Sequence, residues 1–334
     1  MFEPEFKLLL SLSRTAIDQN VVAKILEKYG KALDWDKFVS LSITNGITAL
    51  TYHALSSLEK NDTIPKEIID RLQEYYYCGL GRNLKLWKEF SIIHEEFLRN
   101  NIQIIPLKGI ILGNTLYYNP ALRGIMADID FLIQEQNINS ACLIMEQLGY
   151  IRDPYQPGHI YTFRKTGLMI EMHWNFLPPN LSTIDMEIIW KNSKEAVIDN
   201  RKVTILSWED TLLTLPLQVR FDWPQVKLFR FCDINEIILQ HGDRLNWKYI
   251  ARQARKWQIL GPLVFSLYCC ETLFNTKLTK QLKQELPLSR LNKILFYLFK
   301  NGINKTAPFN SWAKWLILIH PKDYFRILLK SYKN

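Results

Sequence analysis

The sequence predicts a mixed α+β protein. A small mixed β-sheet with flanking helices is expected between helical N-terminal and C-terminal regions. Three observations predict it. Residues 1–100 and 207–334 carry apolar residues at three- and four-residue spacing, the period of an amphipathic helix. Residues 101–206 change texture, with short β-rich runs bounded by turn residues. Within that middle stretch IMADIDFLI (125–133) and GLMIEMHW (167–174) set acids at alternate positions among apolar neighbours. These three stretches are read as an N-terminal helical region, a core and a basic C-terminal helical region.

In chain order, LLLSLSRTAI, DWDKFVSLSITNGITALTYHAL and LKLWKEFSIIHEEFLRNN read as helices, with Asp34 as an N-cap and a break at Asn61–Pro65. IQIIPL (102–107) is a short strand, and GIILGNTLYY (109–118) a helix that stops before Asn119–Pro120. Residues 125–133 read as a strand and 137–150 as a helix ending near Gly149. YTFR (161–164) and GLMIEMHW form a hairpin across the tight Lys165–Thr166–Gly167 turn. Ser207 is expected to cap the helix WEDTLLTLPLQVRF, and VKLFRFCDINEIILQHGDRL follows. The remainder, 247–334, reads as helical and basic, broken by Pro262, Pro287, Pro308 and Pro321.

The totals exclude several classes. With 48% hydrophobic and 22% charged residues in 334, the chain is globular rather than disordered. Its longest mostly apolar stretch, 259–270, is interrupted by Gly261, Pro262 and Ser266 and is shorter than the roughly 18 residues of a membrane span. The N-terminus carries acids before a short apolar run and is not read as a signal peptide. The five cysteines form no CxxC pair, which fits reduced core thiols in a cytoplasmic protein. No HExxH or HxxxH is present, so no zinc is expected. The net charge of +9 is uneven: residues 201–334 hold 22 Lys and Arg against 9 Asp and Glu. That basic half would attract RNA, a triphosphate or an acidic peptide, or it is a solvated helical surface.

The candidate chemistry starts at Asp128 and Asp130. In a strand, residues two apart share a face, so the two carboxylates would project side by side. Like charges that close repel unless a cation sits between them. Mg²⁺ suits the need, since it is usually held by one or two carboxylates and completes its shell with phosphate and water. In the hairpin strand Glu171 shares a face with Met169 and His173, and would stand beside the aspartates from an adjacent strand. Three such carboxylates make a two-metal site, or a metal with a base, for in-line phosphoryl chemistry. Upstream, IIPLKG runs from a strand through Lys108–Gly109 into a helix, an arrangement that binds phosphate through free N–H groups and the lysine charge. His173 either reaches the site or is hydrogen-bonded within the hairpin. Tyr117, Tyr118 and Trp174 read as packing residues. Asp233, with Lys227 and Arg230 nearby, is either a contribution from a helical cap or a structural ion pair.

LKGIILGNTLYYNPALRGIMADIDFLI resembles the core of the nucleotidyltransferase superfamily. It is most similar to a poorly characterised bacterial nucleotidyltransferase family with an LKG…LY…R…DID.L pattern, related to abortive-infection toxin nucleotidyltransferases. IEMHW is similar to the ELHW stretch of that family, and LSWEDTLL resembles the opening of its helical C-terminal part. The strong resemblance covers about residues 100–215. It implies that Asp128 and Asp130 bind metal, that Glu171 is the third catalytic carboxylate, and that Lys108 and Gly109 face the triphosphate. It implies that Arg123 positions phosphate or braces the DID strand, and His173 is grouped with the nucleotide-binding residues. Many superfamily members carry Gly-Ser or Gly-Gly at the triphosphate turn. Here Ile110 follows Gly109, so a hydroxyl contact is missing and Lys108 would replace it. The expected activity is Mg²⁺-dependent (or Mn²⁺-dependent) transfer of NMP from an NTP such as ATP to an unidentified hydroxyl acceptor on a small molecule, a protein or RNA. The alternatives are an inactive nucleotide- or RNA-binding module of the same fold and a tRNA-modifying toxin.

Overall fold

The computed structural model describes residues 2–58, 63–154, 158–178, 183–222 and 226–287. It divides into two compact units, one built from residues 1–72 and 208–334 and the other from 73–207.

The first unit is helical. Its N-terminal part holds α1 (Pro4–Ser11), α2 (Gln19–Tyr29), α3 (Trp35–Thr44), α4 (Thr48–Ser56) and the start of α5 (Lys66–Arg99). Asp34 caps α3 as the sequence predicts, its side chain accepting from the Lys37 amide. After residue 207 come α9 (Trp208–Asp222), α10 (Leu228–His241), α11 (Trp247–Lys256), α12 (Leu260–Leu273) and α13 (Lys280–Glu285). Among the described residues, the N-terminal helices and those after residue 207 share one compact unit, which the sequence reading treats as separate regions. The buried Glu236 carboxylate on α10 accepts from the Thr15 amide at 2.9 Å and its hydroxyl at 2.7 Å. Asn45 accepts from the Leu228 amide at 3.2 Å. Pro262 does not break the chain as predicted: it sits in the first turn of α12, where its missing N–H costs no intrahelical bond. Pro308 and Pro321 lie outside the described residues.

The second unit carries the sheet. After α5 come β1 (Ile105–Leu107), α6 (Lys108–Thr115), β2 (Ile129–Leu132), α7 (Ile138–Gln147), β3 (Ile151–Arg152), β4 (Ile160–Lys165), β5 (Leu168–His173), α8 (Met186–Asn192) and the hairpin strands β6 (Lys194–Ile198) and β7 (Arg201–Ile205). The five-stranded sheet has the order β1-β2-β5-β4-β3. β2 and β5 are parallel; the other neighbours are antiparallel. The predicted β4–β5 hairpin is present, its turn residues Thr166 and Gly167 both at positive φ. The fold class is therefore the predicted one. β6 and β7, which the sequence reading omits, close on Asp199 and Asn200, also at positive φ.

Packing explains the layers. On α5, Leu86, Phe90, Ile93 and Phe97 recur at four-, three- and four-residue steps, and all are fully buried. Phe97 meets Phe131 of β2 edge-on, with ring centroids 5.6 Å apart. β2 is buried along its whole length. On β5, Leu168, Ile170 and Met172 are buried on one face, which leaves Met169, Glu171 and His173 on the other, as their alternation predicts.

Candidate active site

Topology brings Lys108, Asp130, Glu171 and His173 to one end of the sheet. β1 runs antiparallel to β2 and pairs Leu107 with Asp130, so the next residue, Lys108, starts α6 beside that aspartate. On the other side of β2, the parallel register pairs Asp130 with Glu171 and Leu132 with His173. Two neighbours of one central strand thus deliver a lysine, a carboxylate and an imidazole to one carboxylate.

Asp130 is the hub. Its Oδ1 accepts from Lys108 Nζ at 2.5 Å and lies 2.9 Å from His173 Nε2. Glu171 Oε2 stands 3.6 Å from Lys108 Nζ and 3.5 Å from His173 Nε2. The Asp130 side chain is only 4% exposed, whereas that of Glu171 is 26% exposed, so the cluster is rooted in the sheet and opens at Glu171. Burial alone would favour the neutral form of Asp130. The Lys108 ammonium and His173 outweigh it and hold the carboxyl well below the ordinary carboxylate range. Burial would likewise discharge Lys108, but Asp130, Glu171 and Asp128 together keep its ammonium form favoured, with the pKa raised.

The strand is shorter than the sequence predicts. Residues 125–128 are not strand, and β2 begins at Ile129. Asp128 is therefore half-exposed in the segment entering β2, and the alternation argument that set it beside Asp130 does not apply to it. Among the described residues, the group able to hold a metal ion is Asp130, Glu171 and His173, with ligand atoms all within 4.8 Å of one another. Two carboxylate oxygens and an imidazole nitrogen suit a divalent cation, and the carboxylates already converge on a positive charge, so these residues fit a metal chemically. The sequence reading places His173 with the nucleotide; the geometry sets it in the acidic cluster.

Gly109 packs closely against the Met126 side chain. A Cβ on it would fall 2.9 Å from Met126 Sδ and 3.0 Å from its Cγ. Leu107, which precedes α6, offers no side-chain cap, so no side-chain cap shields the first turn. Ile110 is buried in the core. Arg123 is also buried, with its Cβ against α6 at Gly113.

Two residues of α5 escape the sequence reading. Asn83, fully buried, donates through Nδ2 to the Pro120 and Gly124 carbonyls, each at 2.7 Å, and its Oδ1 accepts from the Met126 amide at 3.0 Å. Arg82 donates to the Met126 carbonyl at 2.6 Å and the Ala127 carbonyl at 2.8 Å. Together they fix the irregular segment that delivers Asp128 and Asp130. No periodicity signals them, because each bond runs from a helix side chain to loop backbone about forty residues away.

Among the described residues no helix is long and apolar enough to cross a membrane. A search of curated proteins gives no match. Two solved structures resemble part of the chain. The antibiotic-resistance factor ANT(2'')-Ia, determined in solution, is 13% identical with a TM-score of 0.38 over 52% of this chain and 95% of its own. An antigenic nucleotidyltransferase-like protein from Paracoccidioides brasiliensis is 17% identical with a TM-score of 0.40 over 58% of this chain and 94% of its own. The profile of a family described as uncharacterised nucleotidyltransferase matches residues 31–275, from the segment before α3 through the sheet to the end of α12. On that match, and with the acidic cluster seated on its sheet, the chain belongs to the uncharacterised nucleotidyltransferase family.

Proposed function

We propose that this protein transfers a nucleoside monophosphate from an NTP to a hydroxyl acceptor, releasing pyrophosphate. The observation that carries the reading is the convergence of Lys108, Glu171 and His173 on Asp130 at the start of α6. Asp130 and Glu171, joined by Asp128 at the strand entrance, would hold Mg²⁺, with Mn²⁺ as a substitute. When bound, the metal supplies positive charge to the phosphates and fixes their orientation. His173 completes the donor set or holds Asp130 in place through its Nε2. Lys108 and the first-turn N–H groups of α6 take the β- and γ-phosphates, as an uncapped helix N-terminus favours anions. Gly109 lets that turn close on Met126, and Arg123 braces α6 from behind. Glu171, the most open of the cluster, takes the proton of the attacking hydroxyl.

The acceptor is a hydroxyl on a small molecule, a protein or RNA, and the basic C-terminal region favours a polyanionic one. The reading of an inactive binding module rests on Ile110, whose side chain offers phosphate nothing. The intact acidic cluster weighs against it, since a site without turnover gains nothing from gathering these carboxylates. The test is label transfer from each α-labelled NTP with Mg²⁺ or Mn²⁺, in bacterial extract, with total RNA and with protein alone. Label should move with the wild type and not with Asp130→Asn or Glu171→Gln. Absence of transfer in every fraction, together with no metal-dependent NTP binding, would overturn the assignment.

A further inference from the structure

Lys108 holds the place that a metal ion needs. Its Nζ lies 2.5 Å from Asp130 Oδ1 and 3.6 Å from Glu171 Oε2, in the gap where two carboxylate oxygens would converge on a cation. The His173 ring closes the same gap from β5. A divalent ion is disfavoured while the ammonium stays, because both claim the same Asp130 oxygen and two cations at that distance repel. Moving the ammonium away without another anion is costly, since its side chain is only 22% exposed and loses its partner there.

The fold offers Lys108 a second anion site close to its root. It is the first residue of α6, whose opening turn has no side-chain cap. Its backbone lies at φ +52°, a left-handed conformation that a non-glycine residue keeps only where its surroundings hold it. The root is thus fixed while the flexible four-carbon stem can turn.

We propose that Lys108 is the resident counter-cation of the acidic site, and that a triphosphate at the start of α6 draws its ammonium away and so admits the metal. This rests on the metal-site reading given above. Metal and nucleotide then enter as partners: each binds weakly alone and tightens the other by the same factor, as linkage requires. Lys108 thus guards the acid pair until substrate is present and then contacts the triphosphate.

The experiment is an Mn²⁺ titration followed by the EPR signal of the free ion. Wild type, Lys108→Met, Lys108→Arg and Asp130→Asn are each titrated alone and with each α,β-methylene NTP analogue. Without nucleotide, Lys108→Met should bind Mn²⁺ about tenfold tighter than wild type, a factor ordinary for coupled sites. Lys108→Arg, which keeps the charge, should stay as weak as wild type. An analogue should tighten wild type by a similar factor and Lys108→Met much less. Circular dichroism checks each fold, and Lys108→Gln replaces Lys108→Met should the latter unfold. If the neutral variants bind Mn²⁺ no tighter than wild type, while an analogue still recruits Mn²⁺ to wild type, the counter-cation role is overturned and the metal site stands. If no form binds Mn²⁺ with or without any analogue, the metal site itself fails and the counter-cation role with it.

Discussion

Asp130 and Glu171 are register partners across a parallel strand pair, and the single cation of Lys108 spans both. Neither carboxylate is close to the other in sequence; the sheet makes them neighbours. Their chemistry therefore depends on strand register as much as on residue identity, because a one-residue slip of β5 would turn Glu171 and His173 into the core.

Removing the hub carboxylate tests both chemistry and stability. Asp130→Asn should lower transfer at least about a hundredfold, a loss expected when charge stabilisation at the reacting centre goes. It also leaves Lys108 beside Glu171 alone, and should cost about 2 kcal/mol, below the figure for a fully buried pair since Glu171 remains. Urea unfolding measures the second effect and label transfer the first. Asp128→Asn, outside the buried cluster, should cost little stability.

Asn83 should matter more than a surface-helix asparagine would. Asn83→Ala leaves two carbonyls and one amide of the 120–126 segment without their buried partner. The expected loss is roughly 3 kcal/mol, given about 1–3 kcal/mol for each buried group left unsatisfied and some relaxation. Transfer should fall as well, although Asn83 touches no carboxylate of the site in this arrangement. Equilibrium denaturation and kcat on the same variant separate the two losses.

Gly109 and Met126 should be energetically coupled. Gly109→Ala forces Met126 to move, because the added Cβ would stand 2.9 Å from its sulfur. The single change should cost about 1–2 kcal/mol as an overpacking substitution. Met126→Ala opens the space, so the double variant should be more stable than the two single costs predict. A double-mutant cycle showing simple additivity would mean that the contact is not what excludes a side chain at 109.

Acid should weaken the second unit through His94. Burial disfavours its charged form and Arg201 adds repulsion, so its pKa lies below the ordinary 6.5. The unfolded chain then binds the proton more readily than the folded one between those two values. Stability on this account is full above about pH 6.5 and falls as pH drops through the folded pKa, flattening below it. His94→Gln should remove that portion of the slope in a pH series of melting temperatures. An unchanged slope would assign the acid sensitivity to other groups.

The sequence carries the fold class, the β4–β5 hairpin and part of the site's logic, but not the strand order or the parallel pairing of β2 with β5. Alternation in LMIEMHW placed Glu171 and His173 on one face, and the Lys-Gly step marked the start of α6, because both signals are local. The strand boundary at Asp128 is not legible, since β2 starts one residue after it and apolar neighbours cannot show where pairing begins. The Arg82 and Asn83 braces were illegible for a different reason: side chain to backbone bonds across about forty residues leave no period to read. β6 and β7 were missed although Asp199–Asn200 is a recognisable two-residue turn, because KEAVI and RKVTI carry charges where a buried strand would carry apolar residues.

The parallel pairing of β2 with β5 also sets an order of assembly. Lys108 and Asp130 are 22 residues apart and meet through an antiparallel neighbour, while Asp130 and His173 are 43 apart, with α7, β3 and β4 between them in the chain. Longer closures form later and more slowly. On a growing chain Lys108 is made before Asp128, Asp130 and Glu171, so the cation is present before any of the acids it neutralises. A nascent polypeptide ending at residue 150 would contain Lys108, Asp128 and Asp130 but neither Glu171 nor His173, so the site's metal-holding set is incomplete until β5 is made.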